Sequence, residues 1–457
     1  MARSRRHIFL ASTAALSLLG PVALWAQDGG LQGTLRLGEE LRYDDNPDFD
    51  ESGSQEELSA RTNLSFNLNS TTTSQSLTLT LSGAIDVPLN SRDDRVSSND
   101  DVDFVDPFAR LSYSRSNRTT ALTLSGFYRL ADVNDTLPDD FDPEDVIFDP
   151  GEREDFGVNF GLEFGRQAPF GGVVDFSQRE RQFRDTNDPG LFDTSEYDIS
   201  TRLNFELTPR FTASLIGERD VYDAEDNVST YEVTNTYGVG GSLIVNRTLR
   251  LTADLLRDEI DTERNTGDTE TDGLGLVLGS TQDLPNGSFS LDFSTRERFT
   301  GRRTELSFSR DMATLTGSFS YGVGITQSED TDLAPLFNLT YVQDRTDGAL
   351  SIGLDQGVRI DNEDEDVIDS RLSVNYSKQV NSLSSWSAGL RFANTIVQND
   401  DSDSRRLDLN ARYSHDVGQD WSLVGGFTHS RGWEENGDDR VRNIVFLSLE
   451  KDFSFRP

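Results

Sequence analysis

From Leu31 onward, apolar and polar residues alternate along the chain in stretches of about ten or more residues. In one stretch Leu77, Leu79, Leu81, Gly83, Ile85 and Val87 fall on one side, with Thr78, Thr80, Ser82, Ala84 and Asp86 on the other. Leu122, Leu124, Gly126, Tyr128 and Leu130 repeat the pattern, as do Phe156, Val158, Phe160, Leu162 and Phe164. Leu407, Leu409, Ala411 and Tyr413 carry it toward the C-terminus. A period of two sends successive side chains to opposite faces of a strand, whereas a helix needs a period of about 3.6. The pattern predicts an all-β protein.

A soluble sandwich alternates as well, and the connections separate the two. Short turns at 70–74, 116–118, 208–209, 246–248, 284–287, 345–348 and 418–420 alternate with long acidic loops. The loops fall at 44–56, 90–103, 132–153, 185–194, 223–229, 261–268, 361–366, 400–403 and 434–439. Short periplasmic turns and longer extracellular loops are the asymmetry of outer-membrane barrels. The expected fold is a transmembrane antiparallel up-and-down β-barrel of roughly 22 strands, with roughly 18–22 compatible. An even count returns both ends of the mature chain to the periplasm. The short connection at 300–302 falls on the long-loop side, so it marks either a tight hairpin or an overcount by two.

The first residues address the compartment. Arg3, Arg5 and Arg6 precede an apolar run from Ile8 to Trp25, and Ala26 precedes a polar segment. This is the layout of a secretory signal cleaved after Ala26. The expected organisation is a signal at 1–26 and one barrel domain over 27–457. Ser12, Thr13, Ser17, Gly20 and Pro21 interrupt the run, which disfavours a permanent spanning helix. With 34% hydrophobic residues, the chain would pass for soluble in a hydropathy scan. A barrel escapes such a scan because only alternate residues meet lipid. The net charge of −38, from 80 acidic against 42 basic residues, excludes simple nucleic-acid binding. The chain has no cysteine, which removes disulfides and thiol chemistry.

The last strand reads Val445, Leu447, Leu449, Lys451, Phe453 and Phe455 along one face. This resembles the C-terminal aromatic signature of outer-membrane barrels, which implies that Phe453 and Phe455 are read by the barrel-assembly machinery. Arg456 and Pro457 after the final Phe depart from the usual ending. Residues 27–457 as a whole resemble the outer-membrane β-barrel porin family in architecture, with no short diagnostic motif. The resemblance implies the outer membrane of a Gram-negative bacterium, with lipid, lipopolysaccharide and small polar solutes as partners. TonB-dependent receptors also have large barrels, but they add a plug domain. Alternation that begins at Leu31 leaves no room for one, so that family is set aside.

Turning the polar faces inward gives a candidate lumen. Its basic members are Arg36, Arg61, Arg110, Arg129, Arg202, Arg250, Arg296, Arg371, Arg391, Arg406 and Arg412. Its acidic members are Glu40, Asp86, Glu163, Asp175, Glu206, Asp254, Asp292, Glu305, Asp355 and Asp408. The two sets nearly balance, which assigns the excess negative charge to the loops. Acidic loops at a mouth concentrate cations by focusing the field. Asp361–Asp366 and Asp400–Asp403 are oxygen-rich enough for Ca²⁺, but they lack EF-hand spacing, so the signal is weak and no cofactor is expected. The loop at 132–153 is unusual in mixing acids with apolar residues. Asp135, Asp139, Asp140, Phe141, Glu144, Asp145 and Phe148 are therefore the candidate constriction, folded inward to narrow a wide pore. His415 and His429 have serine neighbours in sequence, but adjacent strand residues face opposite ways, and no catalytic motif occurs. The expected function is non-enzymatic: a porin-like passive channel for small hydrophilic solutes, cation-preferring through its mouth. The alternatives are a channel dedicated to an export system such as exopolysaccharide secretion, or a non-conducting structural or adhesive barrel.

Overall fold

The computed structural model describes residues 30–51, 56–89, 103–135, 148–149, 151–186, 190–298, 301–328, 333–360, 366–397, 403–434 and 439–456. The signal expected at 1–26 lies outside them, as do both Ca²⁺ candidate clusters apart from Asp366 and Asp403.

Twenty-two strands follow one another, as the alternation predicts. The first eight are β1 (Gln32–Asp44), β2 (Glu57–Thr71), β3 (Gln75–Pro88), β4 (Asp103–Ser116), β5 (Thr120–Asp132), β6 (Glu152–Phe164), β7 (Phe170–Arg184) and β8 (Thr194–Thr208). Then come β9 (Phe211–Ala224), β10 (Tyr231–Ile244), β11 (Leu249–Glu263), β12 (Thr269–Leu284), β13 (Gly287–Arg298), β14 (Gly301–Thr314) and β15 (Gly317–Gln327). The ring ends with β16 (Ala334–Arg345), β17 (Gly348–Ile360), β18 (Asp366–Asn381), β19 (Ser384–Val397), β20 (Ser404–Gly418), β21 (Trp421–Glu434) and β22 (Arg440–Phe455). Each pairs antiparallel with its sequence neighbours, and β1 pairs with both β2 and β22, which closes the barrel and removes every edge. β13 and β14 pair as far as Arg298 opposite Gly301, on the long-loop side, so the count of 22 stands.

Antiparallel partners share a face, so register fixes which residues travel together. Arg36 lies opposite Ser65 and Asp452, and Arg61 opposite Glu40 and Asp86. Following these pairs around the ring gathers the polar residues on one face. The other face carries the exposed apolar ones, including Leu35, Leu81, Leu215, Leu255, Leu291, Leu447 and Phe453. The polar face is the concave one. Arg202 on β8 reaches Asp254 on β11 at 2.6 Å, a chord across two intervening strands that only side chains converging inside a barrel can make. Near the short-turn rim the lipid face is aromatic, with Tyr376 and Trp386 rings 5.1 Å apart and Lys451 4.8 Å from the Trp421 ring.

The strands are interrupted where a local conformation demands it. Asp106 has a positive φ of 52° where β4 bulges against Ser82 and Ala84 of β3, and its carboxylate pairs with Arg61. Gln419 and Asp420, at φ 53° and 64°, form the tight β20–β21 turn, whose twist suits a two-residue hairpin.

Candidate functional site

All the candidate pore residues lie on the concave face, and several are joined there. Arg36 contacts Asp452 at 2.7 Å, and Arg412 reaches Glu450 at 2.6 Å. Arg406 holds Asp408 at 3.0 Å, and Glu163 meets Arg166 at 3.2 Å. Arg129 faces Asp155 across β5–β6, Arg371 faces Asp355 across β17–β18, and Arg391 faces Asp408 across β19–β20. Glu206 faces Thr212, and Asp292 faces Gly279 and Ser307. Arg296 forms a hub: one of its terminal nitrogens donates to Asp258 at 2.8 Å, Thr236 at 2.9 Å and Glu218 at 3.2 Å. Asp258 and Thr236 are fully buried beneath it. Such cross-strand pairs stiffen a wall that has no packed core behind it.

The charge balance expected of the lumen is corrected by the register. Along β8–β14 the concave face carries Glu196, Asp198, Glu206, Glu218, Asp220, Glu232, Asp254, Asp258, Asp283, Asp292, Glu305 and Asp311. Against these stand only Arg202, Arg250, Arg296, Arg298 and Arg303. One arc of the inner wall is therefore strongly acidic, and the excess negative charge is not confined to the loops. One or two residues per strand do not reveal the arc; it shows only when every inward position of β8–β14 is counted.

Two inner regions differ in kind. At the mouth, above β19–β22, loops cover the wall. Phe49 from the β1–β2 connection and Phe148 from the β5–β6 connection meet with ring centroids 5.6 Å apart, packed against Ala393. Arg406 lies 5.2 Å from the Phe49 ring and Arg440 5.0 Å from the Phe148 ring. Arg440 donates to the Phe148 carbonyl at 3.0 Å, and Arg406 donates to the carbonyl of Asn134. Asn134 in turn donates to the Asp48 carbonyl at 3.0 Å. Gly432 is required below, because a Cβ there would collide with the Phe148 ring. Of the candidate constriction residues, Phe148 is thus buried against the inner wall, and Asp135 ends a short 3-10 turn, Val133–Asp135. Asp139, Asp140, Phe141, Glu144 and Asp145 lie outside the described residues.

Across β4–β9 the wall is open and forms a pocket of about 520 Å³. Two successive rungs of the sheet build it. The rung nearer the mouth runs Arg110, Phe127, Gly157, Arg179, Glu196 and Tyr222, each directly opposite the next. The rung below runs Ser125, Asn159, Ser177, Asp198 and Asp220. Gly157 gives the Phe127 ring its place, since a Cβ there would overlap the ring. The result is an aromatic and guanidinium side, an amide and hydroxyl floor, and a carboxylate side. Of these, sequence reasoning singled out only Arg110. Phe127, Ser125, Gly157 and Asn159 stand on the inward register of the sets at Leu122–Leu130 and Phe156–Phe164, and alternation across the next three strands carries the count to the rest.

The histidines lie elsewhere. His415 Nδ1 is 2.8 Å from Ser384 Oγ on the lipid-facing side near the short-turn rim, and His429 Nδ1 is 2.8 Å from Asn443 Oδ1. Neither opens on the pocket.

No protein-family profile matches the chain, and no curated protein matches it in sequence. Solved structures do match in fold. The ferric-catecholate import receptor Fiu from E. coli K12 is 10% identical, covers 94% of this chain and 82% of its own, and superposes with a TM-score of 0.54. The FrpB iron transporter from Neisseria meningitidis is 9% identical, with 93% and 82% covered and a TM-score of 0.52. BauA, the ferric preacinetobactin receptor from Acinetobacter baumannii, is 8% identical, with 94% and 80% covered and a TM-score of 0.52. The chain has the outer-membrane barrel fold of these proteins, which places it in the Gram-negative outer membrane. The expectation of a porin-like passive channel is overturned by this finding, since the proteins sharing the barrel are import receptors and an iron transporter. Nothing supports the export-channel or adhesive alternatives. The early start of the alternation, used to set the receptor family aside, does not separate this barrel from theirs.

Proposed function

We propose that the barrel serves as a receptor for uptake of a small, oxygen-rich metal chelate, bound at the inner-wall pocket of β4–β9 without catalysis. The observation that carries this reading is the barrel itself, shared over nearly the whole chain with receptors named for ferric chelates. The pocket supports it. Its volume of about 520 Å³ suits one small ligand. Phe127 and Tyr222 offer apolar surface, and Arg110, Asn159 and Ser177 offer donors to chelating oxygens.

The acidic arc narrows the class. A strongly anionic complex would approach Glu196, Asp198 and Asp220 against their combined field, which the low-dielectric barrel wall focuses into the lumen. A neutral or cationic chelate, such as one bearing a free ammonium group, meets carboxylates on one side and guanidinium groups on the other. The test is uptake of radioactive iron by iron-starved cells with and without the gene, supplied as chelates of different net charge. Loss of uptake confined to neutral or cationic chelates is expected. Equal uptake of every chelate by both strains would refute the proposal.

A further inference from the structure

The lipid-facing side of β8–β10 carries a feature that solute binding does not use. On β9 the outward residues read Phe211, Ala213, Leu215, Gly217 and Arg219. Eight residues at about 3.3 Å each, on a strand tilted about 40°, lift Arg219 about 20 Å above the short-turn rim. The apolar band of such barrels is about 25 Å tall. Arg219 therefore stands about 5 Å below the outer edge of that band, and its long side chain reaches the headgroups of the outer leaflet.

Its surroundings set it apart from other outward arginines of that rim. Arg257 pairs with Glu259 at 3.0 Å, Arg302 with Glu297 at 3.0 Å and Arg405 with Asp403 at 3.1 Å. Arg219 has a neutral partner: it donates to Asn235 Oδ1 at 3.1 Å. Among the described residues no carboxylate pairs with it. Tyr197 on β8, opposite Val221, and Tyr237 on β10, opposite Gly217, stand diagonal to it on the neighbouring strands, both exposed on the lipid side. Below it, a Cβ on Gly217 would meet nothing within 4 Å, so a notch opens toward the membrane interior beside Tyr237. A permanent cation in the headgroup layer, uncompensated by protein, with phenolic donors around it and an apolar notch beneath it, matches one chemistry. That chemistry is a phosphate carried on acyl chains.

We propose that Arg219, with Tyr197 and Tyr237, binds a phosphate of lipid A in the outer leaflet, with one acyl chain lying in the notch at Gly217. The guanidinium supplies paired donors to phosphate oxygens, and the tyrosine hydroxyls supply further ones. The site faces away from the lumen and is independent of the solute proposal.

The test titrates the full barrel, in non-ionic detergent, with bisphosphorylated lipid A and counts bound lipid by native mass spectrometry. Arg219→Gln should lower apparent affinity roughly tenfold, the loss of one charge-assisted anchor. Gly217→Leu, which fills the notch and keeps the charge, should weaken binding of lipid A but not depend on its phosphorylation. Arg257→Gln, at a carboxylate-paired position, should leave binding unchanged. Heat-modifiable migration in gels confirms that each variant folds. The proposal is overturned if Arg219→Gln binds as the parent does, or if Arg257→Gln loses as much. Displacement by inorganic phosphate at concentrations comparable to the lipid would equally overturn it, by making the site a plain anion site.

Discussion

The inner wall at β19–β22 and the inner wall at β4–β9 arise from the same alternation and the same registers, yet they end in opposite states. At β19–β22 the central ionisable groups are covered and paired within the protein. Arg406 is 5% exposed and Asp408 6%, and Ser430 donates to that carboxylate at 2.6 Å. Nearby, Arg442 holds the buried Asp44 at 2.8 Å. At β4–β9 the groups line an open pocket, and two aspartates, Asp198 and Asp220, stand directly opposite one another. Like charges placed opposite each other on a sheet weaken it. Stability is thus concentrated where the loops dock, and the pocket keeps a local cost that a cationic ligand would offset.

The largest effect is expected at the covered wall. Arg406→Ala would strip the buried Asp408 of the guanidinium that holds it at 3.0 Å, leaving only Arg391 on the facing strand, and remove the contact over Phe49. Breaking a buried pair from one side costs about 3–5 kcal/mol. The urea midpoint of the refolded barrel should fall accordingly; an unchanged midpoint would mean that the cluster is ornamental. A smaller and more local effect is expected for Phe148→Ala, up to about 3 kcal/mol, at the low end for a buried ring. It should undo the packing with Phe49: proteolysis near Phe49 and Phe148 accelerates while the strands keep their resistance. At the pocket the sign reverses. Neutralising both acids, Asp198→Asn with Asp220→Asn, should stabilise the barrel by up to about 1 kcal/mol and abolish the preference for cationic chelates. A loss of stability there would erase the contrast between the two walls. The smallest change belongs to the outer surface, where Arg257→Gln should stay within about 0.5 kcal/mol of the parent by the same denaturation measurement.

Much of the fold was legible because a barrel repeats one rule. Leu77 through Val87 announce a strand and its lipid face, and short turns such as 418–420 announce the periplasmic rim. The inward assignment of Arg202 or Arg406 then follows from parity alone. What parity cannot give is distance across the lumen. The Arg202–Asp254 chord, the reach of Arg296 to Glu218, and the meeting of Phe49 with Phe148 join residues far apart in sequence and on strands that do not pair. The left-handed backbone at Phe49, φ 52°, has no local sequence signal, because an aromatic residue is a poor choice for that conformation and is held there by its tertiary contacts. Function was less legible still. Alternation specifies a wall, and the same wall serves proteins of different activity.

The central claim is that the open inner wall binds a chelate. The most direct measurement titrates the purified barrel by calorimetry with cationic, neutral and trianionic ferric chelates, beside its Phe127→Ala variant. Saturable binding of the cationic or neutral chelates is expected, at least about tenfold weaker in the variant, which loses the ring that roofs the pocket at Gly157. Absence of saturable binding to every chelate, or equal binding by parent and variant, would contradict the account.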